Sequence, residues 1–292
     1  MIPLSCRSME IVNRVQRMSS ICMKALSNEM KVGLVSTMGA IHPGHLSLIQ
    51  TARKMTDLVV VSIFVDRLQF MTDEEYQNYP RDITKDVDLL RHENVDYIFT
   101  PPEEEMYPAG FSTYVCVENY GEKVPGLYRT TYFRGMTTSV TKMIHIVKPA
   151  FIFLGQKDGL QGSVLRKMMR DLNIDTEVVV TPVVRDASGL AYAARNYFLT
   201  QEQMTAAAVI HRSLKAAGDA IAAGEVQSKK ILKEVTQVME TEPLARLEYS
   251  VIANPDTLEP VNKVEGKTLI AVGAVIGTTP LNDSLLVELP PK

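Results

Sequence analysis

Residues 31–45 have the sequence KVGLVSTMGAIHPGH, in which a short apolar run leads directly into a turn rich in glycine, histidine and proline. The apolar part, residues 31–37, predicts a β-strand, and a helix is expected over about 44–55. A strand that passes through a tight turn into a helix is the repeating element of α/β proteins. This segment therefore indicates an α/β fold and is the point from which the rest of the chain is interpreted.

The following segment, residues 58–65 (LVVVSIFV), is apolar on both faces. Such runs are typical of central strands in parallel sheets, which are covered on both sides. An amphipathic helix is predicted over 9–30, before the first strand. The alternation continues with predicted helices at 82–93, 133–147 and 160–172 and strands at 95–100, 150–154 and 176–184. This pattern predicts a Rossmann-like, doubly wound parallel sheet, with ligands at the carboxyl ends of its strands.

The pattern changes after residue 184. A loop at 185–196 precedes two predicted helices, at about 200–223 and 228–240, and strand-like pieces follow at 247–252, 268–275 and 284–289. We therefore divide the chain into a Rossmann-like domain, residues 1–184, and a smaller α+β carboxyl-terminal domain, residues 185–292. The loop that joins them is a natural lid or hinge.

The composition excludes several classes of protein. The net charge of −3 gives no support for nucleic-acid binding. No stretch of 18 apolar residues is present, so no transmembrane helix and no membrane partner are expected. The amino-terminal segment lacks the apolar core of a signal peptide. The cysteines, Cys6, Cys22 and Cys116, are far apart and odd in number, which suits neither a disulfide framework nor a metal cluster and favours a cytoplasmic location.

The turn after the first strand carries the strongest functional signal. His42 and His45 lie three residues apart at the predicted start of a helix, and Gly44 between them allows the backbone to approach a ligand closely. Helix amino-termini bind phosphate through unpaired N–H groups, and imidazoles can donate to charge that develops at phosphorus. Two solvated turn histidines are the alternative. The strand–helix context favours phosphate binding.

A second cluster, GQKD at residues 155–158, follows the predicted strand at 150–154. Lys157 can meet a phosphate as a point charge, and Asp158 can hold ribose hydroxyls. In isolation, a polar helix cap formed by Asp158 is the better interpretation. Together with the histidine turn, two candidate phosphate-facing loops at one sheet edge favour a nucleotide site.

Three further side chains are weaker candidates. Arg195 could clamp phosphate oxygens or simply lie in a solvated linker, and the sequence favours neither. Gln69 and Gln161 are neutral amides that could orient a small polar substrate, although surface or capping glutamines are more common.

Taken in order, these motifs resemble the pantothenate synthetase (pantoate–β-alanine ligase) family of the nucleotidylyltransferase-like Rossmann superfamily. The matching segments are TMG at 37–39, HPGH at 42–45, VSIFV at 61–65, QF at 69–70, YPR at 79–81, FRG at 133–135, GQKD with Gln161, DASGLA at 186–191 and RN at 195–196. They span about residues 30–205. The carboxyl-terminal third is similar only in length and general character.

The resemblance implies an ATP-dependent ligase that works in two steps. The pantoate carboxylate would attack the α-phosphorus of ATP to give pantoyl adenylate and pyrophosphate. The amine of β-alanine would then attack the adenylate to give pantothenate and AMP. Mg²⁺ would accompany ATP, residues 1–184 would bind ATP and pantoate, residues 185–292 would form the lid, and the protein would be a homodimer.

The resemblance also assigns roles to individual positions. The residues implied to contact phosphates and act in catalysis are His42, His45, Lys157 and Arg195. Those implied to bind ATP are Met38, Gly155, Lys157 and Asp158. Those implied to bind the other substrates are Gln69 and Gln161, for pantoate, and Asp66, near the amine.

The chain departs from the family pattern at several positions. These are Asp66 and Arg67 in place of Asn-Pro, Tyr132 for His, Gln156 for Glu, Gly159 for an aromatic residue, Leu160 for Gln, and Ala193 and Ala194 for two serines. Loss of one donor aimed at a transition state costs about 3–4 kcal/mol. A carboxylate at Asp66 could attract the ammonium group of β-alanine, but it would also favour the protonated, non-nucleophilic amine.

Three interpretations follow from these departures. The first is a pantoate–β-alanine ligase that is slower or compensated by local repacking. The second is an adenylate-forming ligase or adenylyltransferase for another small carboxylate. The third is a non-catalytic protein that binds nucleotide or a partner.

Overall fold

The computed structural model describes residues 9–118 and 130–290, apart from the side chains of residues 130 and 131. The strands of this part of the chain are β1 Glu10–Val12, β2 Val32–Thr37, β3 Leu58–Ile63, β4 Tyr97–Phe99, β5 Phe151–Gly155, β6 Glu177–Thr181, β7 Ala245–Ala253, β8 Lys267–Ile276 and β9 Thr279–Glu288. The helices are α1 Val15–Ser27, α2 Pro43–Met55, α3 Asp73–Asn78, α4 Ile83–Leu90, α5 Glu103–Met106, α6 Thr130–Val147, α7 Gly159–Asp171, α8 Gln201–Ala207, α9 Val209–Ala222 and α10 Ser228–Met239. The predicted alternation of strands and helices is therefore present.

The first six strands form one parallel sheet in the order β1-β4-β3-β2-β5-β6. From β2 the chain runs through β3 to β4 on one side, and it continues with β5 and β6 on the other. The order of strands therefore switches between β2 and β5, which are hydrogen-bonded neighbours. The predicted Rossmann-like, doubly wound α/β sheet is confirmed. In such sheets, ligands bind at the carboxyl ends of the strands beside this switch.

The centre of the sheet is formed by the apolar strand that follows the histidine turn. Val59, Val60 and Val61 of β3 are fully buried, although alternate side chains point to opposite faces. Both faces of β3 must therefore be covered, as its sequence predicted. One apolar cluster joins Val35 of β2 and Ile49 of α2 to this strand.

The amino-terminal prediction was wrong in one respect. Residues 9–30 do not form a single helix, because Glu10–Val12 pairs with Tyr97–Phe99 of β4 as an edge strand. The helix begins only at Val15. Long-range pairing decided this segment, and the local apolar periodicity of three residues cannot reveal such a partner.

Two compact units are distinguished. The first contains residues 9–116, 131–154 and 168–181, and the second contains 117–118, 130, 155–167 and 182–290, of the residues that the structure describes. In the second unit, β7, β8 and β9 form an antiparallel sheet. The predicted helix at 200–223 is two helices, α8 and α9, separated at Ala208. The smaller α+β region is confirmed, and the boundary at 184/185 and the lid role stay predictions.

The core of the second unit lies where α9 packs on β8, and where α10 packs on α9 and β7. Its fully buried members include Ala217 of α9, Val235 of α10 and Ile270 of β8. None of the helices in the described part of the chain is long and apolar enough to cross a membrane.

Candidate active site

The turn that leaves β2 is fixed by hydrogen bonds of Thr37, the last residue of that strand. Thr37 Oγ1 donates to the carbonyl oxygen of Ser62 on β3 at 2.8 Å and accepts from the N–H of Gly39 at 3.1 Å. Gly39 has φ +81°, a conformation that glycine adopts without strain. The chain therefore turns sharply as soon as the strand ends. Met38, predicted to bind ATP, lies half-buried in this turn.

Asp86 of α4 holds the same turn from the opposite side. Its two carboxylate oxygens accept the N–H groups of Ala40, at 3.0 Å, and Ile41, at 2.7 Å. Asp86 is almost fully buried, and burial raises the pKa of its carboxyl group, against the effect of the two backbone hydrogen bonds. The sequence analysis missed this residue. The signal was present, because Asp86 lies four residues before Leu90, on the buried face of α4.

The two candidate histidines lie together at the start of α2. His42 is the amino-terminal capping residue and Pro43 is the first residue of this 13-residue helix. The rings of His42 and His45 stack, with centroids 3.9 Å apart and an interplanar angle of 21°. The predicted pairing of the imidazoles at a helix amino-terminus is therefore present, and their contact with phosphate stays a prediction.

Gln69 lies in a hydrogen-bonded cluster with Asp66. Gln69 Nε2 donates to Asp66 Oδ2 at 2.9 Å and to Ser139 Oγ at 3.2 Å. Asp66 Oδ1 accepts the N–H of Leu68 at 3.0 Å and the hydroxyl of Tyr107 at 3.1 Å. In this arrangement the amide nitrogen of Gln69 faces Asp66. The carbonyl oxygen Oε1 accepts no hydrogen bond from the described residues and is left for a ligand that donates.

This cluster determines the state of Asp66. Its side chain has no exposed surface, and burial raises the pKa of its carboxyl group despite the hydrogen bonds from Gln69, Leu68 and Tyr107. The pKa of Tyr107 is also raised, first by burial and then by the carboxylate. Asp66 in this arrangement contacts protein groups alone, so the predicted contact with the amine substrate stays a prediction without a geometric basis.

Arg67, which stands with Asp66 in place of the family's Asn-Pro, makes its contacts outside the cluster of Asp66 and Gln69. It forms an ion pair with Asp73, and its guanidinium lies 5.4 Å from the ring centre of Tyr76. Arg67 therefore does not pair with its neighbour Asp66. Tyr132 packs edge-on against Phe133, with ring centroids 5.5 Å apart.

In the second unit, Lys157 and Asp158 are directly paired. Lys157 Nζ lies 2.6 Å from Asp158 Oδ1, and Gln161 Nε2 donates to the same oxygen at 3.3 Å. Burial alone would raise the pKa of Asp158, but the charge and hydrogen bond of Lys157, a hydrogen bond from Asn282 and the charge of Arg195 hold this pKa below its ordinary value. Asp158 is therefore an ionised acceptor at neutral pH.

The helix-cap interpretation of Asp158 gains no support. In the part of the chain that the structure describes, its oxygens accept only from Lys157, Gln161 and Asn282, which are all side chains. Gly155 precedes a short 3-10 turn, Gln156–Asp158, and a Cβ at this position would meet no atom within 4 Å. Open space at Gly155 leaves the backbone accessible to a ligand.

Strand β9 holds this turn in place. Asn282 Nδ2 donates to Asp158 Oδ1 at 3.2 Å and to the carbonyl oxygen of Lys157 at 3.3 Å. Ser284 Oγ donates to the carbonyl oxygen of Gln156. A Cβ on Gly159 would lie 2.5 Å from Ser284 Oγ. A side chain there would force the side chains of Ser284 and Leu269 to shift, which accounts for glycine at a position where the family pattern has an aromatic residue. Leu160, the adjacent departure, is buried.

Arg195 lies in a loop with a defined structure. Asp186 Oδ1 accepts the N–H groups of Ser188 and Leu190, which closes the turn at Gly189, where φ is +92°. Ala193 then precedes a 3-10 turn, Ala194–Phe198, without a side-chain cap. Arg195 forms no ion pair or hydrogen bond with any described residue, although its charge contributes to the lowered pKa of Asp158. With alanine at positions 193 and 194, Arg195 is the first residue of this turn that has a polar side chain.

The structure thus brings Gln69 together with Asp66, His42 with His45, and Lys157 with Asp158 and Gln161. Sequence reasoning missed Tyr107, Ser139, Asn282 and Ser284, which hold these residues. No local motif marks such partners, because each lies far along the chain from the residue that it contacts. Among the described residues, no group of three or more His, Cys, Asp or Glu side chains could hold a metal ion.

Comparisons with known proteins agree with this geometry. A family model of pantoate-beta-alanine ligase matches residues 10–286. The pantothenate synthetase of Pelotomaculum thermopropionicum is 43% identical over 279 residues, which cover 96% of this chain and 99% of the relative. That of Pseudothermotoga lettingae is 40% identical, with the same coverage.

Solved structures give the same result. Pantothenate synthetase from Thermus thermophilus superposes with a TM-score of 0.88 at 35% identity, over 95% of this chain and 99% of that chain. Pantoate-beta-alanine ligase from Francisella tularensis, complexed with beta-gamma ATP and beta-alanine, gives 0.77 at 30% identity, over 97% and 100%. The chain therefore belongs to the pantoate-beta-alanine ligase family and is an enzyme of the ligase class.

Proposed function

We propose that the protein condenses pantoate with β-alanine to form pantothenate, with ATP as the second substrate and a pantoyl adenylate as the intermediate. In the first step a pantoate carboxylate oxygen bonds to the α-phosphorus of ATP, and the bond to the bridging oxygen breaks, releasing pyrophosphate. In the second step the amine nitrogen of β-alanine bonds to the acyl carbon. The carbon–oxygen bond to AMP breaks, and the amine loses a proton.

The observation that carries this proposal is the pair of stacked imidazoles, His42 and His45, at the amino-terminus of α2. They follow β2 directly, beside the switch in strand order, where α/β sheets bind ligands. A helix amino-terminus with two histidine donors suits the charge that accumulates on phosphate oxygens as pyrophosphate leaves. We assign the phosphate contacts to these histidines and, in the second unit, to Lys157 and Arg195.

The other substrate contacts follow from the atoms that the side-chain networks leave open. Gln69 offers its carbonyl oxygen as an acceptor, which suits a hydroxyl group of pantoate, and Gln161 is the second amide assigned to pantoate. Met38 and Gly155 are assigned to the nucleotide. Asp158 Oδ2 accepts no hydrogen bond from the described residues, which suits a ribose hydroxyl.

We propose that Asp66 acts through Gln69, since its oxygens are taken up by Gln69, Leu68 and Tyr107. Asp66 orients the amide of Gln69 and has no exposed surface with which to hold β-alanine as an ammonium ion. The departure from the family pattern at this position is then compatible with nucleophilic attack by the neutral amine.

We assign Mg²⁺ to the phosphate oxygens of ATP, where it would neutralise charge on the leaving pyrophosphate. A metal that arrives with its substrate needs no dedicated protein cluster. The homodimer and the cytoplasmic location implied by the resemblance stay predictions, and light scattering of the purified protein would test the first.

The test follows oxygen atoms through the reaction. Pantoate labelled with ¹⁸O in its carboxylate is incubated with ATP, Mg²⁺ and β-alanine, and the products are analysed by mass spectrometry. Through a pantoyl adenylate, one ¹⁸O atom is transferred to AMP. Label in inorganic phosphate, with ADP as coproduct, would refute the adenylate.

A second measurement separates the remaining interpretations. Pantoate-dependent exchange of pyrophosphate into ATP, without β-alanine, is expected for the proposed ligase. Exchange that requires a different small carboxylate would indicate a ligase of changed substrate. ATP binding without exchange for any carboxylate would indicate a non-catalytic protein.

A further inference from the structure

Asn282 of β9 contacts the turn at residues 155–158, although it belongs to none of the sequence motifs that carry the family resemblance. Asn282 Nδ2 donates both to Asp158 Oδ1, at 3.2 Å, and to the carbonyl oxygen of Lys157, at 3.3 Å. Both partners are acceptors, so only the amino group of the Asn282 amide can face them. Asn282 is therefore held in one orientation by the turn, and the turn is held by Asn282.

The two oxygens of Asp158 are in different situations. Oδ1 accepts from Lys157, Gln161 and Asn282, whereas Oδ2 accepts from no described residue. One oxygen is thus anchored and the other is open. A carboxylate fixed in this way presents a single oriented acceptor, which suits a hydroxyl donor of a sugar better than a second cation.

A phosphate group bound by Lys157 would compete with Asp158 for the charge and the three N–H donors of its ammonium group. Its ammonium lies 2.6 Å from Asp158 Oδ1 in this structure, and both side chains are largely covered, with exposed fractions of 18% and 33%. A phosphate that draws the ammonium of Lys157 towards itself would weaken the hold of Lys157 on Asp158. A partly buried carboxylate that loses a donor needs its remaining hydrogen bonds to stay in place. Asn282 and Gln161 supply them.

We propose that Asn282 is a positioning residue for the nucleotide: it keeps Asp158 Oδ1 anchored, with Oδ2 directed to a ribose hydroxyl, while Lys157 is engaged with phosphate. This inference rests on the proposed function, because it takes ATP as the ligand of Asp158. It adds a residue from the carboxyl-terminal sheet to the determinants of nucleotide recognition.

The test compares nucleotides that differ only in the ribose. Pantoate-dependent pyrophosphate release is measured with ATP, 2′-deoxy-ATP and 3′-deoxy-ATP for the full-length wild type, Asn282→Ala, Asn282→Asp and Ser284→Ala. Ser284 is the matched control, because it binds the same turn from the same face of β9 but contacts the backbone of Gln156 instead of Asp158. Asn282→Asp is nearly isosteric and replaces the donor by an acceptor.

We expect the wild type to prefer ATP over at least one deoxynucleotide in kcat/KM. Asn282→Ala should reduce this preference about tenfold, the effect of one hydrogen bond to a charged group. Asn282→Asp should reduce it at least as far, because two carboxylates then face each other. A purely structural role lowers activity with every nucleotide alike, so Ser284→Ala should keep the wild-type preference.

The outcomes separate this inference from the proposed function. Wild-type preference retained in both Asn282 variants would overturn the role of Asn282 alone. An active wild type without any ribose preference would overturn the assignment of Asp158, and the inference with it. Absence of pantoate-dependent pyrophosphate release from the folded wild type would refute the proposed function itself.

Discussion

Replacement of Asp86 by alanine should destabilise the protein and disable the histidine turn together. Asp86→Ala removes the acceptors of two N–H groups, those of Ala40 and Ile41, which lie 3.0 and 2.7 Å from its oxygens. A buried donor left unsatisfied costs about 1–3 kcal/mol. Burial raises the pKa of Asp86, so removal of an ionised carboxylate recovers part of the loss. We expect a net destabilisation of about 2–3 kcal/mol at neutral pH.

The same change should reduce activity beyond its effect on folding. The residue after Ile41 is His42, so relaxation of the turn displaces the imidazoles from their positions at the start of α2. A displacement on the order of 1 Å can cost about a hundredfold in rate. We expect pantoate-dependent pyrophosphate release to fall roughly ten- to a hundredfold at temperatures where the variant is folded.

Asp88 provides the matched control on the same helix. Its carboxylate is 67% exposed and, among the described residues, pairs only with Arg91, at 3.4 Å, so Asp88→Ala should change stability by less than about 0.5 kcal/mol. Urea unfolding gives the free energies, and pyrophosphate release gives the rates. If Asp86→Ala and Asp88→Ala prove equally stable and equally active, the turn does not depend on Asp86 and the reasoning fails.

Three further changes test other parts of the structure. Lys157→Ala should abolish pyrophosphate release while circular dichroism shows an intact fold. Lys215→Ala, which removes an exposed ion pair, should leave pyrophosphate release in place. Normal release from the Lys157→Ala variant would refute the phosphate role of Lys157. Gly159→Ala should destabilise the protein by about 1–3 kcal/mol in thermal unfolding, because its Cβ would lie 2.5 Å from Ser284 Oγ. The same change should destabilise a Ser284→Ala variant less. Equal destabilisation in both backgrounds would contradict the steric argument. The raised pKa of Asp66 means that its ionisation opposes folding, so the stability it contributes is complete below the ordinary aspartate pKa and declines as pH rises through the raised value. Asp66→Asn lacks this decline, so its stability relative to the wild type should increase from acidic to neutral pH while the KM for pantoate rises; a constant difference would contradict the argument.

The sheet could be predicted from sequence because its signals are local. The run LVVVSIFV is long enough and apolar enough that only a strand covered on both faces can accommodate it, and Val59–Val61 are fully buried in the structure. The short strand Glu10–Val12 could not be predicted in the same way. Its three residues pair with β4, more than 80 positions later, and the helical periodicity that follows obscures them.

The residues of the candidate site likewise fall into those that local sequence patterns reveal and those that they do not. His42, Lys157 and Asp158 are recognisable because strand–turn–helix junctions are local patterns with known chemistry. Asp86 and Asn282 were not recognisable, because each acts on a turn distant in sequence. Sequence patterns identify the groups that can contact a ligand, and the structure is needed to identify the groups that hold them.

Two of the departures from the family pattern are explained by the residues that surround them. Gly159 lies where β9 leaves no room for a side chain, and Asp66 lies where three donors converge on a carboxylate that has no exposed surface. Both substitutions are thus matched by contacts with other elements of their own unit. Random loss of function would not be expected to leave a buried aspartate with every neighbouring donor satisfied, because an unmatched buried carboxylate costs several kcal/mol. The structure therefore favours a ligase whose pocket has been repacked as a whole over one that has lost its activity.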